Sequence, residues 1–327
     1  MKAVVCKAWG LPETLVIEDL PTPVPKPGEA LIEIRAASVN YPDVLMIQKK
    51  YQIQPPLPFI PGSEVAGVVS ALGQGVTQVK LGDRVIAFCG LGGFAEAVAV
   101  KAEGLIPIPP GLDDATAASF TLVYGTSHHA VLDRGELKAG QTMLVLGAAG
   151  GVGLAAVEIG KAIGARVIAA ASSDDKLAVC RAHGADVLIN YSTQDLRAAI
   201  KEATGGLGPD VVYDPVGGIY AEPAFRSIAW RGRYLVIGFA NGEIPKLPWN
   251  LALLKGASIV GVFWGDFARR EPLANAAAMR QMMGWVAEGK LKPLVSARYA
   301  LADTAAAFNA LANRQATGKI VIVPGLR

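Results

Sequence analysis

One segment limits the folds open to this chain more than any other. Residues 145–176, VLGAAGGVGLAAVEIGKAIGARVIAAASSDDK, set Gly147, Gly150 and Gly153 at G-x-x-G-x-x-G spacing between a strand-like run, TMLVL, and a helical pattern, GLAAVEIGKAIG. A second strand-like run, RVIAAA, follows, so the stretch reads as a βαβ unit of about 30 residues. Glycines also permit tight turns for purely structural reasons, but the strand before and the helix after favour a phosphate-binding turn. Positions without side chains let backbone N–H groups at the helix N-terminus approach a pyrophosphate, whose charge the helix dipole favours. The candidate cradle is Gly147, Gly150, Gly151, Val152 and Gly153.

The surrounding pattern agrees with a parallel sheet. Six apolar runs, at 142–146, 166–171, 186–190, 210–214, 233–238 and 259–264, alternate with helical segments, as in a doubly wound dinucleotide-binding fold. TQDLRAAIKEATGG, at 193–206, reads as a connecting helix opened by a threonine cap and closed by glycine. Thirteen of the 21 prolines fall in the first 110 residues, among short β-rich runs, which argues for a strand-and-turn domain there. The expected division is 1–122 for that domain, 123–266 for the dinucleotide domain, and 267–327 for a tail that rejoins the first.

Charge and cysteine content narrow the partners. With 31 Lys and Arg against 28 Asp and Glu and no block of like charge, neither a nucleic-acid groove nor an acidic surface is implied, and a small-molecule partner is expected. Cys6, Cys89 and Cys180 are scattered and odd in number, which suits a reducing compartment. Nothing at the N-terminus reads as a signal or transit sequence, so the cytoplasm is expected. The 19 uncharged residues at 139–157 approach the ~20 that span a bilayer, but five of them are glycine and the run divides into strand, turn and helix, so no membrane span is expected.

The second strand of the βαβ unit identifies the nucleotide. An acid at its tip would grip a ribose 2′-hydroxyl, and a basic residue there would accept a 2′-phosphate. The strand ends in alanines, followed by Ser172, Ser173, Asp174, Asp175 and Lys176. With Ser173 as helix cap, the two aspartates fall in the first turn, where the dipole stabilises them without any ligand. Ser173 and Lys176, helped by Tyr191 at the end of the next strand, then cradle a phosphate, so NADPH is expected over NADH.

These segments resemble the zinc-independent quinone oxidoreductases of the medium-chain dehydrogenase/reductase superfamily. The resemblance rests on ASVNYPDVLMIQKKY (37–51), PFIPGSEVAGVVSALGQGVTQVKLGDRV (58–85), GAAGGVGLAAVEIGKAIGA, INY, VVYDPVGG and RQATGKIVI, and covers essentially the whole chain. It implies a GroES-like β-rich catalytic domain completed by the tail, a Rossmann domain, and an active site in the cleft. It also implies cofactor contacts from Thr126, from Gly238, Phe239 and Ala240 at the end of the fifth strand, from Phe263 and Trp264 at the end of the sixth, and from Arg314. A homodimer formed across the 257–265 strand is a further implication. For Thr126 a helix cap, for Phe263 and Trp264 core packing, and for Arg314 a solvated helix end are the competing readings.

Zinc-dependent relatives need a Cys where this chain has Asn40-Tyr41-Pro42-Asp43 and a His where it has Ser63, and the lobe with four close cysteines is missing. Adjacent His128 and His129 would point about 100° apart on one helix, so no metal is expected. Hydrogen-bond donors must then replace the Lewis acid. By resemblance Asn40 and Tyr51 line the cleft as the catalytic pair: Asn40 can donate an amide N–H to a developing oxyanion, and Tyr51 can supply a proton. Glu64 and Asp83 are read as serving the fold. The expected reaction is NADPH-dependent reduction of a quinone. Reduction of an activated C=C bond in an enal, enone or enoyl thioester, and an NADPH-binding sensor without turnover, are the alternatives.

Overall fold

The computed structural model describes residues 1–326 and divides into two compact units, Met1–Leu122 with 293–326, and Val123–Lys292. In chain order the strands are β1 (Lys2–Val5), β2 (Val16–Asp19), β3 (Glu29–Ser38), β4 (Glu64–Leu72), β5 (Arg84–Phe88), β6 (Ala97–Lys101), β7 (Ile106–Pro107), β8 (Thr142–Leu146), β9 (Arg166–Ala171), β10 (Val187–Asn190), β11 (Val211–Asp214), β12 (Arg233–Val236), β13 (Ser258–Gly261), β14 (Val295–Ala300) and β15 (Lys319–Val323). The helices are α1 (Tyr41–Ile47), α2 (Asp114–Ala118), α3 (Thr121–His128), α4 (Gly151–Ala162), α5 (Asp174–Ala182), α6 (Leu196–Ala203), α7 (Ala221–Ser227), α8 (Asn250–Lys255), α9 (Trp264–Arg270), α10 (Pro272–Ala287) and α11 (Thr304–Ala312).

In the first unit β3 is the spine. It pairs antiparallel with β4 along its length, with β6 over its first half and with β15 at its far end. Two register shifts against β4 bend it, so it can serve different partners at its two ends. The order β14-β15-β3-β4-β5-β7 closes over a core that includes Ile32, Ile34, Val65, Phe94, Phe308 and Ile320. The register Val321↔Ser38 and Val65↔Ala37 has a local consequence: Lys319, opening β15, and Glu64, opening β4, both come to the end of β3 where Asn40 follows.

The second unit has strand order β10-β9-β8-β11-β12-β13, all parallel, the doubly wound arrangement with its reversal between β8 and β11. Burial on both faces explains why its strands read as unbroken apolar runs. Three local expectations need correction. The fifth strand stops at Val236: the Ile237 amide makes the last ladder bond, to the Asp214 carbonyl, and the Ala240 and Asn241 amides go to the Pro215 and Val216 carbonyls, so Gly238-Phe239-Ala240 form a turn beyond the strand. The sixth strand is Ser258–Gly261, and Phe263 is the N-cap of α9, so Phe263 and Trp264 begin a helix rather than end a strand. The cap of α6 is Asp195, which accepts the Ala198 amide at 2.7 Å, and not Thr193.

The second boundary also differs from 267. The α9 and α10 segment groups with the second unit, where Trp264 Nε1 donates to Asn275 Oδ1 at 3.0 Å, Gln281 bonds His128 and the Lys292 amide donates to Glu158. Among the described residues no helix is long and apolar enough to cross a membrane.

Candidate active site

The glycine turn leaves β8 at Leu146 and enters α4 at Gly151. Each glycine answers a different demand. Gly147 has φ +57°, and a Cβ there would also lie 2.7 Å from Val216 Cγ2. A Cβ on Gly153 would lie 2.4 Å from the Gly147 carbonyl oxygen and 2.8 Å from Ala148 Cα, so only glycine lets the first turn of α4 sit this close to the loop. Gly150 is the N-cap and, having no side chain, covers none of the first-turn amides. The N–H groups at 151–153 therefore lack intrahelical partners and are free to meet an anion. That cradle fits a diphosphate.

At the ends of β9 and β10 the register Asn190↔Ala171 sets Tyr191 beside Ser172. Ser173 is the N-cap of α5, its Oγ accepting the Lys176 amide at 3.4 Å, and Lys176 Nζ lies 3.3 Å from Ser172 Oγ. Asp174 is turned away to accept from Asn190 Nδ2 at 2.8 Å. The Tyr191 and Tyr220 rings lie 4.3 Å apart. Ser173, Lys176 and Tyr191 thus share one corner of the sheet, with both first-turn aspartates where a helix dipole alone accounts for them.

Beyond β11, Asp214 accepts the amides of Val216 and Gly217 at 2.8 Å each and the Tyr234 hydroxyl, fixing the 215–218 loop that packs over Gly147. Burial pushes its carboxyl up. The turn at 238–240 rests against this loop, with the Ala240 amide on the Pro215 carbonyl at 3.0 Å. Thr126 is the sixth residue of α3, which removes the cap reading. Trp264 is buried and Phe263 about half exposed.

In the first unit, Asn40 joins a buried polar cluster with Ser63, Glu64, Asp43 and Lys319. Its Nδ2 donates to Glu64 Oε1 at 3.1 Å and to the Ser38 carbonyl at 3.3 Å, with Ser63 Oγ at 3.5 Å. Its Oδ1 accepts from Lys319 Nζ, which also donates to the Val39 carbonyl at 3.0 Å and stands 3.7 Å from Glu64 Oε1. A cation on one side and a carboxylate on the other force this amide orientation. Glu64 Oε2 accepts the Leu122 amide at 2.8 Å, consistent with a role in the fold. Asp43 Oδ2 accepts the Asn40 amide at 2.8 Å, and burial raises its carboxyl to about 7 against the pull of that bond and of the Lys319 charge. Tyr51 is half-buried against this unit's core, and burial, with Asp43 second, raises its phenol, so it keeps its proton at neutral pH. Arg314 is exposed at φ +58° just past α11, a helix-end position.

Sequence reasoning had missed Lys319 as a member of this cluster. Its signal was a single charge in GKIVIV, an otherwise apolar strand. Among the described residues no group of three His, Cys, Asp or Glu side chains is placed to hold a metal. His128 bonds Gln281 at 2.8 Å and His129 stacks on Phe267 at 4.0 Å.

A chain that carries both a parallel six-stranded sheet with a glycine cradle and a β-rich unit completed by its C-terminal strand has the makings of a dinucleotide-dependent dehydrogenase or reductase. Comparison gives the same class. Residues 26–110 match the model of the alcohol dehydrogenase GroES-like domain, and 151–286 that of the zinc-binding dehydrogenase. The quinone oxidoreductase-like protein 2 homolog of Nematostella vectensis is 36% identical over 325 residues, covering 98% of this chain and 88% of that one. The solved structure of a probable oxidoreductase from Mycobacterium abscessus is 40% identical with a TM-score of 0.89, covering 99% of both chains. The quinone oxidoreductase of Thermus thermophilus, solved also as its complex with NADPH, is 36% identical with a TM-score of 0.86, covering 99% of this chain and all of that one. The chain belongs to the quinone oxidoreductase family of the medium-chain dehydrogenase/reductase superfamily.

Proposed function

We propose that this chain is an NADPH-dependent, zinc-independent oxidoreductase that reduces quinones in the cytoplasm. The observation that carries the reading is the cradle at 147–153 together with a β9 tip that offers Ser173 and Lys176 and turns its nearest acid, Asp174, to Asn190. Relatives named quinone oxidoreductase and the NADPH complex of the Thermus thermophilus enzyme support it. Bound NADPH supplies a hydride. The chain's own part is to hold the diphosphate on the amides at 151–153, to receive the 2′-phosphate at Ser173, Lys176 and Tyr191, and to border the nicotinamide with Thr126, the 238–240 turn, Phe263 and Trp264. Arg314 is assigned to the phosphate end. Asn40 is held in one orientation by Lys319 and Glu64, and Tyr51 keeps a proton to give.

Lys176→Ala is expected to weaken NADPH binding about tenfold while leaving NADH binding within about twofold, the loss of one charge-assisted contact. Fluorescence titration with both nucleotides checks it, and equal affinities in both proteins would sink the NADPH assignment. For the acceptor, NADPH oxidation is followed with a p-quinone, a 2-alkenal and an enoyl thioester. The quinone is expected to turn over fastest, and Tyr51→Phe to spare it within about twofold while slowing the C=C substrates by about 10²-fold, the worth of a general acid. Tight NADPH binding without turnover on any acceptor would favour a nucleotide-binding protein instead.

We further assign a homodimer. β13 is an edge strand, and just before it in sequence α8 and its N-cap carry Trp249, Leu253 and Leu254, each at least 66% exposed. An unpaired edge flanked by apolar side chains suits a second copy. Light scattering at micromolar concentration should give twice the chain mass, and Leu253→Lys should shift it to the single mass; a monomeric parent protein refutes the assignment.

A further inference from the structure

Several hydroxyls at this chain's helices bond within their own helix, whether buried, as Ser119 is, or half-buried, as Thr204 and Ser227 are. Ser119 Oγ donates to the Ala115 carbonyl at 2.9 Å, Thr204 Oγ1 to that of Ile200 at 2.8 Å and Ser227 Oγ to that of Pro223 at 2.8 Å, the usual bond four residues back. Ser127, fully buried in α3, does not follow them. Its Oγ lies 2.8 Å from the carbonyl of Val152, in the first turn of α4, and 2.9 Å from the hydroxyl of Tyr213, on β11.

Proton count fixes the direction of these bonds. A carbonyl only accepts, and a serine hydroxyl has one proton, so Ser127 donates to Val152 and Tyr213 donates to Ser127. Burial pushes the Tyr213 phenol up, so that proton stays in place at any working pH. Tyr213 is itself fully buried in a parallel strand, where a phenylalanine would fill the same volume without a polar atom to satisfy. The result is a two-bond chain from the central strand to the turn whose amides form the cradle, passing through the residue next to Thr126.

We propose that Ser127 and Tyr213 are positioning residues for the nucleotide: a buried strut that sets where the first turn of α4 stands over the end of β11. This rests on the NADPH reading above. Tyr213→Phe and Ser127→Ala are each expected to weaken NADPH binding about fivefold, the net worth of one hydrogen bond. The double variant should lose little more than Ser127→Ala alone, since removing Ser127 breaks both bonds. The KM for the quinone should not move. Phe225→Leu, a core change on another cluster of the same unit, should lower the Tm and leave NADPH affinity unchanged.

Amide exchange at Leu154, Ala155 and Ala156 in nucleotide-free protein is the second readout, and should quicken in both strut variants. Parent-like affinity and exchange in Tyr213→Phe and Ser127→Ala would overturn the strut. So would an equal loss of affinity in Phe225→Leu, which would reduce the effect to general loosening. A parent protein that binds no NADPH, with exchange still quickened in the variants, would overturn the nucleotide reading while supporting the strut's hold on α4.

Discussion

Gly153→Ala is expected to cost about 1–3 kcal/mol of stability in the second unit and to weaken NADPH binding by about one to two orders of magnitude. The added methyl would meet the Gly147 carbonyl oxygen at 2.4 Å and Ala148 Cα at 2.8 Å, and both are backbone atoms that cannot rotate away. The turn must move, and the amides at 151–153 move with it. Gly150→Ala makes the contrast. Its φ of −75° suits any residue, and its methyl would touch only the Gly147 oxygen, at 3.4 Å. That variant should melt within about 1 °C of the parent, since nothing in the free protein is strained, yet bind NADPH more weakly because the cofactor backbone loses its close approach. Thermal melts and NADPH titration on both variants check this. If Gly153→Ala binds NADPH as the parent does, the turn is not the diphosphate site.

Lys319→Met is expected to destabilise the first unit by about 3–5 kcal/mol, the cost of removing one partner from a buried ion pair. Nζ donates to the Val39 carbonyl and Asn40 Oδ1 and forms an ion pair with Glu64 Oε1 at 3.7 Å. Without it two carboxylates, Asp43 and Glu64, share a dry interior. The loss depends on pH in a defined sense. Asp43 is already raised from 3.8 to about 7, and the Lys319 charge is one of the influences that lower it, so the variant raises it further. A carboxyl whose folded value lies above its unfolded value binds more protons when folded, so stability falls as pH rises from about 4 through the folded value. The Met variant should therefore come closest to the parent near pH 4–5 and fall furthest below it near pH 8. Melting of the first unit at pH 5 and pH 8 tests this; a variant within about 2 °C of the parent at both values would show that the cluster does not depend on its cation.

Much of this architecture was legible because local pattern and long-range structure agree. The β8 and β9 runs are apolar on both faces since helices cover both, and turn residues bound them closely, so 142–146 and 166–171 could be read directly. Where an apolar run outlasts its strand the reading overshot. Ile237 continues the β12 run, and Val262 that of β13, each giving its amide as the last bond of the ladder, to the Asp214 and Val236 carbonyls, and no side-chain period records where a ladder ends. The Asn40 cluster was harder for another reason. Its members stand at 40, 43, 63, 64 and 319, and only the antiparallel register of three strands brings them together. Asn40 was legible only through the resemblance that puts it in the cleft, and nothing nearby in sequence announced that its amide would be spoken for on both sides. Ser127 was hidden likewise, since a serine inside a helix ordinarily turns to its own backbone.

The two units differ in when they can be finished. Val123–Lys292 is one uninterrupted stretch, so its parallel sheet can close as soon as that stretch has left the ribosome. The β-rich unit has to wait, because β15 lies between β14 and β3 and comes last. Until residue 319 is made, Glu64 and Asp43 have no counter-ion to be buried with, and the seven-stranded sheet lacks the strand that joins its tail to its spine. A chain halted before that point would carry a completed nucleotide sheet joined to an open, acid-bearing half, its strand edges unpaired.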